Sequence, residues 1–502
     1  MKNHHNLLRL FFLLVLLSTS LRGYGQTVLT IDGGHLVQSS NSIIRLHDTQ
    51  FINNGTFHGE EDSKVYITGN GSDEQSAIGG DSVTTFYQLE VFKSSNGVQL
   101  QQNIVVEAEL IVEEGNLDLN GDTVTFGPNG FIEIETEDGR IVGPNGGVVQ
   151  ITLDLNAPNN SIPGGMGFQI SSSQNLGTTL VQRVHVPIHI NDTVTVARVY
   201  KIFPIHNTNL DATVKLDYFE LELNGHAESD LGVWRRDSSF WYNPTATVEP
   251  NLDRFVIENI DFLSEEWTMA PNAPKIDLRV LLGGPYDNTS GEMMDDLRNA
   301  NLIPTTEPYA DLGYDHPASG GGEQINPAVL AQTGSDAIVD WVFVELRDAA
   351  DVSTVIAARS ALLQKDGDVV DLDGHSTLSF PEITNTETPL ISIRHRNHIG
   401  IIAASPVDLS NGTVVLDFLA NPNLAEGGIA ALLDLGDGNY GLISGDFDGD
   451  GQVQNTDGNA QTQSLGASGY LPGDSDLNGQ VQNTDLQIKL TPNLGRGAQF
   501  AY

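Results

Sequence analysis

The sequence predicts a mainly β protein built from serial modules: a β-helix-like or solenoid front, two β-sandwich modules and a small loop-rich C-terminal unit. Three observations predict it. Short runs of alternating apolar and polar residues recur between Gly and Asn turns at spacings of about 8–12 residues, the pattern of many short strands. Glycine is abundant, at 52 residues, and charged residues make up only 18% of the chain, which favours turn-rich β architecture over helical bundles. The heptapeptide Gly-Gln-Val-Gln-Asn-Thr-Asp occurs twice near the end, at 451–457 and 479–485, where the composition turns to Asp, Gly, Asn and Gln. At 502 residues the chain exceeds what one hydrophobic core supports.

The first 25 residues read as a cleaved secretory signal. Lys2 and Arg9 precede the apolar run Leu10 to Leu17, and Gly23 and Gly25 stand at small-residue positions before a cut ahead of Gln26. The run is too short for a bilayer span, which needs about 20 apolar residues. The expected location is extracellular or on a bacterial cell surface, with no membrane span.

Residues 26–162 form the predicted solenoid. In "FIEIETEDG" Ile132 and Ile134 alternate with Glu133 and Glu135. In "NLDLNGDTVTF" Leu117 and Leu119 alternate, the chain turns at Asn120-Gly121, and Val124 and Phe126 resume the pattern. No strict repeat length emerges. The run "LEVFKSSNGVQLQQNIVVEAELIVEEGNLDLNGDTVTFG" is similar to the β-helix-like front modules of large bacterial exoproteins.

Residues 163–273 read as a first sandwich, with strands such as "ATVKLDYFELELNG" and with Trp234, Trp241 and Trp267 as core fillers. Pro271, Asn272 and Pro274 suggest a linker. Residues 274–420 read as a second sandwich, with near-continuous strands in "IVDWVFVELRD" and "LISIRHRNHIGIIAAS". This block resembles immunoglobulin-like modules of secreted proteins. Its one helical candidate is "SGEMMDDLRNANL", with Ser290 as cap and Met293, Met294 and Leu297 on one face.

The tail, residues 442–496, carries the clearest chemistry. Its two loops are "DFDGDGQVQNTD" (446–457) and "DSDLNGQVQNTD" (474–485). Oxygen side chains stand at loop positions 1, 3 and 5: Asp446, Asp448 and Asp450 in the first, Asp474, Asp476 and Asn478 in the second. Gly451 and Gly479 allow the sharp turn at position 6. Gln452 and Gln480 offer backbone carbonyls at position 7, Gln454 and Gln482 can act through water, and Asp457 and Asp485 close the loops at position 12. That is the shell of about seven oxygens that a Ca²⁺ ion takes. Val453 and Val481, the apolar position 8, are expected to pair the loops or pack on the following helices. Two aspartate-ended loops 28 residues apart resemble a type I dockerin. The resemblance implies a small domain folded around two Ca²⁺ ions, each loop followed by a helix, and a cohesin-like protein partner selected in part by positions 10 and 11, here Asn455-Thr456 and Asn483-Thr484. Leu465 is the one apolar anchor expected for the helix after loop one. Docking of the tail on the neighbouring β-domain is the other use the sequence suggests.

The formal charge is −42, with only 24 Lys plus Arg. Nucleic acid and anionic membranes are excluded as partners, because phosphate needs clustered cations. Divalent cations are favoured, though acidity also keeps exported proteins soluble. The chain has no cysteine, so disulfides, thiol nucleophiles and Cys-ligated zinc are excluded. The motif "KDGDVVDLDG" (Asp366, Asp368, Asp371, Asp373) offers carboxylates, but hairpin turns in an acidic protein look alike. His395 and His398, three apart on an apparent strand, are expected on opposite faces. No G-x-S-x-G, H-E-x-x-H or phosphate-loop motif occurs. The expected function is a non-catalytic adhesion or assembly role, with calcium and cell-surface or matrix glycans as partners. The alternative is a polysaccharide lyase or hydrolase tethered by the tail. For that reading the front is poor in cations, with Arg45, Lys64, Lys93 and Arg140.

Overall fold

The computed structural model describes residues 27–70, 75–190, 193–237, 240–318, 320–381, 383, 387–411 and 413–502. The signal-peptide reading of residues 1–25 lies outside the described residues. The protein is mainly β, with 45% strand and 12% helix, and its front is a β-solenoid of about 5 turns. Among the described residues no helix is long and apolar enough to cross a membrane.

The solenoid stacks in-register parallel strands on three faces. On one face Val65 of Lys64–Gly69 pairs with Leu89 of Thr84–Lys93, Leu89 with Leu110 of Ile104–Glu114, and Leu110 with Ile132 of Phe131–Glu135. On the second Val98, Leu117 and Ile141 stack, and on the third Phe86, Val106 and Phe126. Inward residues alternate with outward ones because successive strand side chains point to opposite faces. The steps 65→89, 89→110 and 110→132 are 24, 21 and 22 residues, so no strict period is visible in sequence. Phe51, Phe57 and Phe86 cluster in the interior with centroids 5.2–6.0 Å apart, and such pairs add to the area they bury. The alternation fails at Ile134, which is 37% exposed. The register slips between Ile132 and Ile134, and Glu135 turns inward to pair with the buried Arg183 at 2.8 Å.

The solenoid does not end in a free edge. Val148–Asn156 continues the parallel stack through Thr123–Phe126 and also pairs antiparallel with Asn175–Val184. From there an antiparallel sheet runs through Val199–Pro204, Glu266–Pro271, Leu231–Asp237 and Phe240–Tyr242. A second, four-stranded sheet contains Phe168–Ser171, Ala212–Asp217, Arg254–Ile260 and Thr247–Glu249. One apolar core runs unbroken from Ile31 to Met269. Trp267 is fully buried and Trp234 nearly so, while Trp241 is half-buried.

The third block is built on one sheet. Leu378–Ser379, Lys275–Arg279, Asp368–Val370, Val355–Gln364, Ile338–Arg347, Leu390–His395 and His398–Ile402 follow in that order, and Thr413–Asp417 pairs parallel with Lys275–Arg279. Ile338–Arg347 is buried along its whole length; its charged members are ion-paired, Asp340 with Arg396 and Glu345 with Arg347. The predicted helix from Ser290 is only the turn Asp296–Asn299, and Glu292–Met293 is a short strand. Ser290 does not cap it: its hydroxyl donates to Asp287 O at 3.3 Å. Met293 and Leu297 are buried in the block's core, while Met294 is 38% exposed.

Candidate metal centre

Both tail loops adopt the same conformation. Gly451 and Gly479 take φ of 83° and 85°, a left-handed turn that a side chain would strain. The turn aims backbone amides at the first aspartate: Gly451 N donates to Asp446 Oδ2 at 3.1 Å and Gly479 N to Asp474 Oδ2 at 2.8 Å. The closing aspartates are held in matching nets. Asp457 accepts Phe447 N, Asp448 N and Gln454 N at 2.7, 3.2 and 2.8 Å. Asp485 accepts Ser475 N, Asp476 N and Gln482 N at 3.0, 3.2 and 2.8 Å.

These nets converge the carboxylates. One oxygen each from Asp446, Asp448 and Asp457 lie within 4.8 Å of one another, and so do oxygens of Asp474, Asp476 and Asp485. Asp450 stands outside the first cluster: its carboxylate accepts Gln452 N at 2.8 Å and the Gln454 side-chain amide at 3.3 Å. Asn478 mirrors it, accepting Gln480 N at 2.9 Å. Gln452 and Gln480 follow the glycine turns, with exposed side chains.

The electrostatics are unfavourable without a cation. Burial, then the neighbouring Asp457 carboxylate, pushes Asp446 up to about 7. Burial pushes Asp474 up to about 7 against the opposing pull of Gly479 N and Arg396. Asp457 and Asp476 are raised too, first by burial. Asp446 Oδ1 is buried without a hydrogen-bond partner. A buried, unpartnered carboxylate oxygen facing two other carboxylates is the arrangement a hard divalent cation relieves.

The surroundings of the loops differ from expectation in two ways. Val453 and Val481 are fully buried, yet they do not pair with each other. Val481 N donates to Ala467 O, and Val453 N to Arg496 O, both at 2.9 Å, so each loop pairs with the segment after the other loop's helix. The helix Asn455–Ser464 is held by polar contacts: Gln461 is buried and its side-chain amide donates to Gln482 O at 2.7 Å. Leu465, the expected anchor, is 47% exposed. After loop two comes one wide helical turn, Asp485–Leu490, with Leu490 buried.

The tail is seated on the third block. Leu477 of loop two sits in that block's core at 1% exposure, where loop one has Gly449. The turn between Leu390–His395 and His398–Ile402 supplies further contacts. Arg396 donates to Leu471 O at 2.5 Å and lies 4.0 Å from the Tyr470 ring, and Tyr470 Oη donates to Asp340 at 2.6 Å. At the chain end the Tyr502 ring lies 3.9 Å from Arg394.

The other sequence candidates are accounted for by ion pairs and a turn. Asp368, Asp371 and Asp373 pair with Arg279, Arg359 and Arg235. His395 and His398 are not on opposite faces of one strand. They face each other across a hairpin, Nδ1 to Nδ1 at 3.1 Å, both buried. His395 Nε2 meets Asp340 at 3.2 Å and His398 Nε2 accepts Gly284 N at 2.9 Å. Sequence reasoning missed two further groups, Glu220 with Glu228 and Asp253, and Glu307 with His316 and Glu323. The first is largely open to solvent.

An open groove on the solenoid is lined by Asn96, Asn116, Asp118 and Asp138 among others, with no Arg, Lys or aromatic side chain among the described residues of its wall. Compared with known families and curated proteins, the chain matches none.

Proposed function

We infer that this is an exported, modular surface or matrix protein with a non-catalytic adhesive or assembly role, whose dockerin-like tail is ordered by two Ca²⁺ ions and thereby fixed to the third β-block. One observation carries the reading: two loops of the same sequence pattern fold into the same hydrogen-bond net around a carboxylate triad, with the first aspartate of each buried. In this reading Asp446, Asp448, Asp450, Asp457 and the Gln452 carbonyl hold one ion, and Asp474, Asp476, Asn478, Asp485 and the Gln480 carbonyl the other. The second block, with two sheets over one core, acts as a sandwich-like spacer between solenoid and tail-bearing block.

A role in docking a cohesin-like partner is favoured by one further observation. Asn455, Thr456, Asn483 and Thr484 all stay exposed when the tail is seated. The enzymatic alternative draws less support. Among the described residues the solenoid groove has carboxylates but no cation to bind an anionic sugar and no ring for a sugar to stack on.

Calorimetric titration of the mature chain with calcium tests the reading. Two equivalents are expected, one for Asp474→Ala or Asp446→Ala, and none for the double variant. No heat at millimolar calcium sinks it. Release of reducing or unsaturated ends from a polysaccharide panel would replace the non-catalytic role with the enzymatic one.

A further inference from the structure

Twelve aspartate and glutamate residues are buried among the described residues, and they divide evenly by what stands beside them. Glu222, Glu266, Asp340, Glu345, Asp371 and Asp373 each have an Arg or Lys nitrogen within salt-bridge distance. The other six do not. Four are Asp446, Asp457, Asp474 and Asp485 of the tail loops. The remaining two, Glu307 and Glu323, lie together in the third block. Burying a carboxylate without a counter-charge is costly, so this pair calls for one.

The two glutamates close the ends of an irregular excursion. Thr306 bridges to Gln324, and Glu307 N donates to Glu323 O at 2.9 Å. Backbone amides fix both carboxylates: Tyr309 N and Ala310 N donate to Glu307 Oε2 at 2.6 and 3.1 Å, Gly322 N to Glu307 Oε1 at 2.9 Å, and Gly321 N to Glu323 Oε2 at 3.0 Å. Ser360, on the adjoining strand, gives its N to Glu323 at 3.2 Å and its hydroxyl to Glu307 at 3.2 Å. These dipoles orient the oxygens but carry no full positive charge.

His316 completes the group. Its side chain is 7% exposed and packs edge-on to Phe343 with centroids 4.7 Å apart. Its Nδ1 lies 3.1 Å from the Tyr314 carbonyl, which places the proton on Nδ1. Nε2 is then a lone-pair donor. It is buried, has no hydrogen-bond partner, and faces Glu307 Oε2 at 3.7 Å. A ring nitrogen freed this way, its partner nitrogen anchored on a backbone carbonyl, is how metal-binding histidines are held. One ligand atom from each of Glu307, His316 and Glu323 lie within 4.8 Å of one another. Donors around a tetrahedral ion bonded at about 2.0–2.1 Å sit roughly 3.3–3.5 Å apart, so side-chain rotations of about an ångström close the site.

We propose that Glu307, His316 and Glu323 bind a divalent first-row transition-metal ion, chemically distinct from the calcium of the tail, that staples residues 304–325 to the strand bearing Ser360. The imidazole nitrogen selects against Ca²⁺, which takes oxygen ligands, and suits Zn²⁺ or its neighbours. The fourth position falls to solvent or to the Ser360 hydroxyl.

The test uses the tag-free mature chain in millimolar calcium, loaded with Zn²⁺, freed of excess by gel filtration and assayed by elemental analysis. One zinc per chain is expected for the wild type and for Asp446→Ala/Asp474→Ala, and almost none for His316→Ala and Glu323→Gln. Zinc should also slow proteolysis within 304–325 in the wild type only. Wild-type zinc no higher than in His316→Ala overturns the proposal. Should the variants misfold, Co²⁺-loaded wild type decides alone. Visible d–d absorption from a low-symmetry nitrogen-containing site supports the proposal, and its absence overturns it.

Discussion

The Asn397 side-chain amide donates to the backbone carbonyl of Asp474 at 2.7 Å, and also to that of Pro472 at 3.0 Å. A hairpin tip of the third block thus holds the residue that opens loop two. Gly284 completes the fit from the other side. A Cβ there would lie 1.7 Å from Ser475 O, so only glycine admits the loop. Asn397→Ala leaves two carbonyls unpaired, at a cost of about 1–3 kcal/mol. Part of that falls on the ion-holding conformation, so calcium affinity at loop two is expected to drop roughly tenfold while loop one is unchanged. Gly284→Ala should act in the same direction through steric exclusion. Site-resolved calcium titration checks both, and equal weakening of the two loops would show that the docking is not local.

Asp448 and Asp457 belong to one triad but do different physical work. Asp457 satisfies three backbone amides, so Asp457→Ala strips buried donors of their acceptor with or without metal. Asp448 is exposed, and among the described residues its carboxylate accepts only the Asp450 amide, at 3.3 Å. Asp448→Ala is therefore expected to abolish calcium binding at loop one while leaving the chelated protein's unfolding midpoint nearly unchanged. Asp457→Ala is expected to lower that midpoint as well, by about 1–3 kcal/mol. Urea unfolding in chelator and in calcium separates the two effects.

How much of this was legible in sequence follows from what sequence can encode. The loops were legible because the contacts that converge their carboxylates lie within twelve residues, so spacing alone implies that geometry. Leu117, Leu119, Val124 and Phe126 were legible as inward residues because strand alternation is local. Their partners were not, since Leu117 pairs with Val98 and Ile141 at intervals no fixed repeat announces. The Arg396-Asn397 turn was hidden inside an apolar run that reads as one strand. The triad of Glu307, His316 and Glu323 was invisible for a related reason. Its members are nine and seven residues apart in a Gly-rich stretch, "EPYADLGYDHPASGGGE", with no regular period to place them together. Leu477 showed as a mismatch between the loops, Leu against Gly449, but only the fold reveals that it plugs a neighbouring core.

Arg235 and Asp373 join the second and third blocks. Both side chains are almost fully buried, 2.5 Å apart, and the Arg235 guanidinium lies between the Tyr242, Phe262 and Trp267 rings at 5.2–5.5 Å. The Arg235 guanidinium, with amides of His375 and Ser376, holds the Asp373 carboxyl down to about 2 against its burial. Arg235→Ala leaves Asp373 charged and unpaired in a dry interface, a loss of about 3–5 kcal/mol. The expected signature is decoupling: calorimetric melting that is concerted in the wild type splits, with the third block melting earlier. Asp373→Asn keeps its hydrogen bonds to Ser376 and should cost less. A single transition at the wild-type temperature in Arg235→Ala would refute the coupling.

Below neutrality the stability should depend on pH through buried histidines: burial first of all lowers His185, His395 and His398 alike, and His185 is the one that stands apart from the tail. Its ring is buried between like and unlike charges. Arg183 Nε donates to His185 Nε2 at 3.1 Å, so that nitrogen must be the acceptor. Glu222 Oε1 lies 3.7 Å from Nδ1, but Arg198 already neutralises that carboxylate, with Nε 2.7 Å from Oε2 and Nη2 2.9 Å from Oε1. Burial first, then Arg183, lowers His185 to about 4. The unfolded chain takes up its proton near 6.5, the folded one only near 4. Between these values the unfolded state binds more protons, so stability is complete above about pH 6.5 and falls as pH drops toward 4, by on the order of 3 kcal/mol in all. Glu222, held at about 2 chiefly by Arg198 against its own burial, gives up its contribution only below about pH 4.3, outside this window. Urea midpoints at pH 7, 5.5 and 4.5, in saturating calcium to keep the tail carboxylates occupied, should decline in the wild type and decline less steeply in His185→Gln, the remainder falling to His395 and His398. Parallel declines in the two proteins would move the acid sensitivity to some other group.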